Sequence, residues 1–419
     1  MRHCFTLDSG LRVILDNEAS ASVVYAGIAV AAGTRYEQPH ESGMAHFVEH
    51  MTFKGTPHLT SLQILNRMES VGGDLNAYTG KEEVVYYATF PRQHLRRALT
   101  LLSDIVFNST YPQAELEKER EVVIDEIESY NDSPAELIYD DFESLLYPDQ
   151  PLGRRILGDA DSLRRYSTAD LQAYTSRLYT PKRAVLFVKG KVTEEEVRKS
   201  VSSALSRPSR GWTPDSNRSS EDMFAPLGRK PEGAEESPGT VVIQKDTHQA
   251  HVMLGAPAYA LTDPRYLGLA LLSNILGGPA MNSRLSLALR ERTGLVYTAE
   301  SSLNAYTDTS TWAVYFGCDH ADVRRCLRLV SREFRRLTDA PLSARALAAA
   351  KRQLCGQMSI ATDNFESTAL SMAKRYLLTS QVPTLDQQIE RINALQAPDL
   401  QAIACEIFSP DRLTTLIYQ

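Results

Sequence analysis

Residues 207–239, RPSRGWTPDSNRSSEDMFAPLGRKPEGAEESPG, are dense in Pro, Gly, Ser and charged side chains. A stretch of that composition cannot bury enough apolar surface to offset the entropy lost on ordering it. It reads as an interdomain linker. It leaves 206 residues before it and 180 after it, each the size of a single domain.

The two flanking stretches repeat one order of elements. The first opens with strand-like runs at 11–16 (LRVILD) and 23–31 (VVYAGIAVA), the second at 240–244 (TVVIQ) and 251–255 (HVMLG). Each continues with a helical stretch rich in small and apolar residues, at 42–53 and 266–276. Each closes on a β-branched run, AVLFV at 184–188 and LTTLIY at 413–418. Longer helical patterns lie between, at 93–107, 114–129 and 321–337. The expected fold is α+β: two homologous domains, 1–206 and 240–419, each a β-sheet with packed helices.

Charge and composition narrow the class. The 45 Lys and Arg against 52 Asp and Glu give a net charge of −7. Sequence-independent nucleic-acid binding needs a basic footprint, so no nucleic-acid partner is expected. No run of 18 apolar residues occurs, so no membrane span is expected. The opening MRHCFTLDSGLR lacks the apolar core of a secretory signal. Five cysteines, an odd number with no C-x-x-C, read as reduced thiols, and a cytoplasmic location is expected. Neither G-x-G-x-x-G nor a phosphate-loop motif is present.

The chemistry-bearing segment is 43–53, GMAHFVEHMTF, which holds His46, Glu49 and His50 as H-x-x-E-H. On a helix, positions i and i+4 project from one face about one turn apart, so two imidazoles there can share one Zn²⁺. Glu49 at i+3 sits beside that face and is placed to take a proton from water. The pentapeptide alone also suits two solvated histidines. A catalytic zinc site needs a third ligand, and the acid-rich helix at 114–129 offers several. Glu119 and Glu126, seven apart, face the same way, but spacing alone does not select Glu126.

With these residues in view the chain resembles the pitrilysin/insulinase metallopeptidases, in their small two-domain bacterial form. H-x-x-E-H is the inverted zinc motif, and Glu126 follows His50 by 76 residues in an E-x6-E helix. The resemblance extends to Gly33-Thr34-Arg35-Tyr36-Glu37, Gly55-Thr56, 73–87 (GDLNAYTGKEEVVYY), 151–158 (PLGRRILG) and 281–297 (MNSRLSLALRERTGLVY). It implies that His46, His50 and Glu126 bind Zn²⁺. It implies that Glu49 is the general base and that Glu119 is an acidic helper supporting the ligands. Asn76 and Ala77 would lie on an edge strand that pairs with an extended peptide. Arg290 and Tyr297 would reach the substrate near the scissile carbonyl, as donors to a developing oxyanion.

The implied activity is zinc-dependent endopeptidase action on unfolded peptides. Larger members of the family fuse four such domains, so a closed chamber here would need two chains, and a homodimer is expected. The alternative is a non-catalytic or heterodimer partner subunit of the same family. Zinc content and the activity of the chain purified alone separate the two.

Overall fold

A computed structural model describes residues 2–205 and 239–419. The expected linker, 207–239, lies outside the described residues except for Gly239. The strands are β1 (Arg2–Thr6), β2 (Arg12–Asn17), β3 (Val23–Val30), β4 (Asp74–Thr79), β5 (Val84–Pro91) and β6 (Ala184–Gly190), followed by β7 (Thr240–Ile243), β8 (Ala250–Ala258), β9 (Val296–Ala305), β10 (Ser310–Cys318) and β11 (Thr414–Tyr418). The principal helices are α1 (Met44–Thr52), α2 (Leu95–Asn108), α3 (Gln113–Asn131), α4 (Pro134–Leu146), α5 (Tyr266–Gly277), α6 (Val323–Thr338) and α7 (Phe365–Thr379).

Two mixed sheets form. The first has the order β1-β2-β6-β3-β5-β4 and the second β7-β11-β8-β10-β9. Omitting β1, the sheets correspond strand for strand. Each has one parallel pair, β2 with β6 and β7 with β11, and antiparallel pairing elsewhere. The repeated element order in the sequence is therefore a repeated topology. Strand β1, which the sequence did not lead us to expect, extends the first sheet by pairing with β2 from Arg2 opposite Asp16 to Thr6 opposite Arg12.

Strand burial explains the sequence patterns. All seven residues of β6 are buried, as β6 lies between β2 and β3 with α7 packed on it, so AVLFVKG shows no polar alternation until its end. β4 alternates exposed and half-buried residues, as an edge strand does. In the first core, Phe47, Val48 and Met51 of α1 join Ile28 and Val30 of β3 and Leu99 and Leu102 of α2. In the second, Trp312 lies 4.6 Å from Phe408 between ring centroids, and Phe408 lies 5.0 Å from Phe334 of α6.

Each compact unit is discontinuous in sequence. One takes the chain to Ser129, the described residues from Arg154, and Thr362–Val382; the other takes Tyr130–Gly153, the chain from Gly239 to Ala361, and Pro383–Gln419. The helix α7 therefore packs on β3 and β6 of the first sheet, burying Ala369, Met372, Ala373 and Leu377. The helix α4 packs on β8 and β11 of the second, burying Ile138, Phe142 and Leu146 against Met253 and Leu416. These are equivalent strand pairs, so the halves exchange equivalent helices. A continuous division at 206 and 240 does not express that exchange.

Among the described residues no helix is long and apolar enough to cross a membrane. All five cysteines are free, with Cys318 and Cys326 buried.

Candidate metal centre

Helix α1 starts where two glycines meet. Gly43, at φ 77°, precedes it, and a Cβ there would lie 2.6 Å from the Leu157 carbonyl oxygen. Gly158, at φ 69°, would place a Cβ 2.5 Å from the Cα of Gly43. Neither position accommodates a side chain, which accounts for the glycine ending PLGRRILG. Because Gly43 has no side chain to cap the helix, Glu37 does so from outside: its Oε1 accepts from the backbone N–H of Ala45 at 2.9 Å. Burial pushes the Glu37 carboxyl up to about 8, although the Ala45 and Gly43 amides and the charge of Arg154 all act to lower it.

The face of α1 that carries His46 and His50 meets α3. The two imidazoles stand 4.6 Å apart between centroids, edge to face. Glu126 reaches both: its Oε1 is 3.8 Å from His46 Nε2 and its Oε2 is 3.4 Å from His50 Nε2. Glu119, two turns earlier on α3, accepts from His50 Nδ1 at 3.0 Å. Its other oxygen pairs with Lys54 Nζ at 2.5 Å. On the side toward the first sheet, the Thr79 hydroxyl at the end of β4 donates to Glu49 Oε2 at 2.5 Å.

The electrostatics follow from this packing. Burial pushes His46 down to about 4, and the neighbouring His50 adds to the effect. His50 is also depressed by burial, but its bonds to Glu119 and Glu126 outweigh that and raise it to about 9. Glu126, bonded by His50, is held below the usual carboxylate range. Burial would raise Glu119, yet its bonds to His50 and Lys54 hold it low. Burial raises Glu49, and the Thr79 bond opposes the rise. Each nitrogen of the His50 ring therefore faces a carboxylate, Glu119 at Nδ1 and Glu126 at Nε2.

A divalent cation fits among His46, His50 and Glu126. One donor atom each from His46, His50 and Glu126 lies within 4.8 Å of the others. Donors about 2.0–2.2 Å from a tetrahedral Zn²⁺ are roughly 3.4 Å apart, close to the 3.8 and 3.4 Å that separate Glu126 from His46 and His50. The Nδ1 of His46 is buried without a partner, and its Nε2 is the nitrogen that faces Glu126. Two imidazoles and a carboxylate form a set that zinc takes with a position left open.

Asn76 and Ala77 lie on β4, opposite Tyr87 and Tyr86 of β5. The other edge of β4 is unpaired among the described residues. The Asn76 amide donates to Asp74 Oδ2 at 2.6 Å. Arg290 and Tyr297 belong to the second unit. Arg290 lies in a π-helical turn, Ser286–Glu291, and pairs with Glu291 at 2.9 Å. Tyr297 lies on β9, the edge strand equivalent to β4, and is 87% exposed. The structure thus brings together the five residues expected around the metal and places the expected peptide-pairing residues on an open edge. Glu37, Lys54 and Thr79 were missed, although all three fall within or beside the segments that carry the resemblance.

Comparison with known proteins agrees along the chain. The pattern described as "Insulinase (Peptidase family M16)" matches residues 12–160, and that described as "Peptidase M16 inactive domain" matches 165–354. A protein of Bacillus subtilis named as an uncharacterized zinc protease is 30% identical over 99% of this chain and 97% of its own length. One of Rickettsia bellii, named likewise, is 28% identical over 98% and 96%. The fold matches the crystal structure of a protease from Helicobacter pylori with a TM-score of 0.90 and 22% identity, over 100% of this chain and 99% of the other. It also matches a putative M16-like peptidase from Alicyclobacillus acidocaldarius, TM-score 0.83 and 19% identity, over 100% and 98%.

Proposed function

The chain belongs to the insulinase family of peptidases, family M16, and on that footing we propose that it is a zinc-dependent endopeptidase hydrolysing unfolded peptides. The observation that carries the reading is the convergence of His46, His50 and Glu126, with Glu49 on the same helix. The equivalent helix of the second half, α5, reads YLGLALLSNILG and has neither histidine nor acid, so the chemistry is assigned to the first half.

In this reading His46, His50 and Glu126 hold the ion. When bound, Zn²⁺ supplies Lewis acidity that polarises the scissile carbonyl and acidifies water. Glu49 takes the proton of the attacking water and delivers it to the leaving amine. Thr79 orients Glu49. Glu119 accepts from His50 Nδ1, fixing its ring so that Nε2 is free to ligate. An extended peptide adds to the open edge of β4, with Asn76 and Ala77 supplying hydrogen bonds, and unfolded segments are selected because only they can lie as a strand. Arg290 and Tyr297 act as donors toward the oxyanion, in a chamber built by a cytoplasmic homodimer.

The test is digestion of a mixed peptide library by the purified chain, with and without chelator, the products being sequenced. Chelator-sensitive internal cleavage, restored by zinc, is expected. Absence of any such cleavage from zinc-loaded protein overturns the reading in favour of a non-catalytic or partner subunit.

A further inference from the structure

The two faces of β4 look onto different surroundings. Thr79 reaches Glu49 of α1 on one face. On the other, Asn76 lies opposite Tyr87, whose hydroxyl donates to Glu366 of α7 at 3.0 Å. Side chains alternate along a strand, so Asp74, Asn76 and Tyr78 share this second face. There a cavity of about 440 Å³ is lined by Tyr78 from β4 and by Asn364, Glu366, Leu370, Ser371 and Lys374 from α7 and its start.

Among the described residues the charges around this cavity do not balance. The Lys374 ammonium is 2.7 Å from Glu83 Oε1, and Glu83 is almost wholly buried, with its Oε2 lacking a partner. That lysine is therefore already matched by a carboxylate. Among the described residues Glu366 and the exposed Asp74 then remain as negative groups on the same face, bonded by the neutral donors Tyr87 and Asn76.

We propose that the cavity between β4 and α7 is a specificity subsite for a basic side chain of the bound peptide, with Glu366 as its counter-charge. The proposal rests on the peptide-pairing reading above. Every second side chain of a strand added to β4 turns toward α7. A lysine or arginine there lays its aliphatic stem on Leu370 and the Tyr78 ring and carries its charge to Glu366. An acidic side chain would add to the existing excess of negative charge.

Binding and cleavage test this separately. Labelled neutral peptides carry one lysine, norleucine or glutamate, moved stepwise along the sequence, and bind to the zinc-loaded Glu49→Gln chain at low salt. One position is expected at which lysine binds about fivefold tighter than norleucine, the range of a partly exposed ion pair. Glu366→Gln should remove that preference, and Glu366→Lys should turn it toward glutamate, both with full zinc content as proof of folding. A lysine preference that survives both substitutions, or no preference at any position, overturns the subsite. If the preference follows Glu366 while the wild-type chain cuts none of the peptides, the subsite stands and the peptidase reading falls. If no peptide binds, both fall.

Discussion

The hydroxyl of Thr79, last residue of the edge strand β4, donates to Oε2 of Glu49 on α1 at 2.5 Å. The strand proposed to pair with substrate and the residue proposed as base are thus one hydrogen bond apart. That bond holds one carboxylate oxygen of Glu49, and in the proposed mechanism the other takes the proton of water. Thr79→Val should lower kcat about tenfold or more, as for a lost hydrogen bond to a charged group, with little change in KM. Thr79→Ser should restore most of it. Equal rates for the Val, Ser and wild-type proteins would remove Thr79 from the mechanism.

Glu49→Gln keeps the shape of the side chain and can still accept from Thr79, but it cannot take a proton. Zinc content should stay near that of the wild type while peptide hydrolysis falls about 10²–10⁴-fold. Near-normal turnover would exclude Glu49 as base.

Zinc should bind at about one ion per chain, and its removal by chelator should lower the melting temperature, since a ligand held only by the folded state stabilises it. His46→Ala, His50→Ala and Glu126→Gln should each abolish most of the binding. Glu119→Gln leaves all three donor atoms in place and loosens only the hold on His50, so zinc affinity should fall about 10–100-fold. Metal analysis after dialysis decides, and full retention in Glu126→Gln would mean the third ligand lies elsewhere.

The Glu37 carboxyl gives stability a pH dependence. Its value in the folded protein, about 8, exceeds the ordinary 4.5, so the folded state binds more protons than the unfolded state between those values. The contribution of Glu37 is therefore full below about 4.5 and lost as pH rises through about 8, at up to about 1.4 kcal/mol per pH unit. Glu37→Gln should flatten that fall. Denaturation series at pH 5 and pH 8 measure it, and equal slopes for variant and wild type would refute the assignment.

If two chains build the chamber and place Arg290 and Tyr297 in trans, a Glu49→Gln chain mixed with an Arg290→Ala/Tyr297→Ala chain should recover activity. Random exchange makes about half the dimers mixed, each with one intact site, so about a quarter of wild-type activity is expected for C2 pairing. Background activity despite demonstrated subunit exchange would show that each chain completes its own site.

Local regularity made part of this protein legible from sequence. His46 and His50 are four apart on a helix, so their shared face follows from helix geometry. Glu126 is one acid among many on α3, and only the family resemblance selects it. Thr79 meets Glu49 across 30 residues and Lys54 meets Glu119 across 65. Such pairs depend on which strand borders which helix, which no local pattern encodes. Strand β1 escaped notice because RHCFT is short and mixed in polarity. The exchange of α4 and α7 was equally invisible, since an apolar stripe at helical spacing fits the face of either sheet.

That exchange sets how far the chain can be shortened. The helix covering β3 and β6 is α7, which ends at Thr379, more than 170 residues after the last described residue of the first stretch. A chain stopped after the linker keeps His46, His50 and Glu126 and still lacks part of the core that holds them. Although the sequence reads as two tandem copies, the smallest segment containing the complete first unit runs on to Val382.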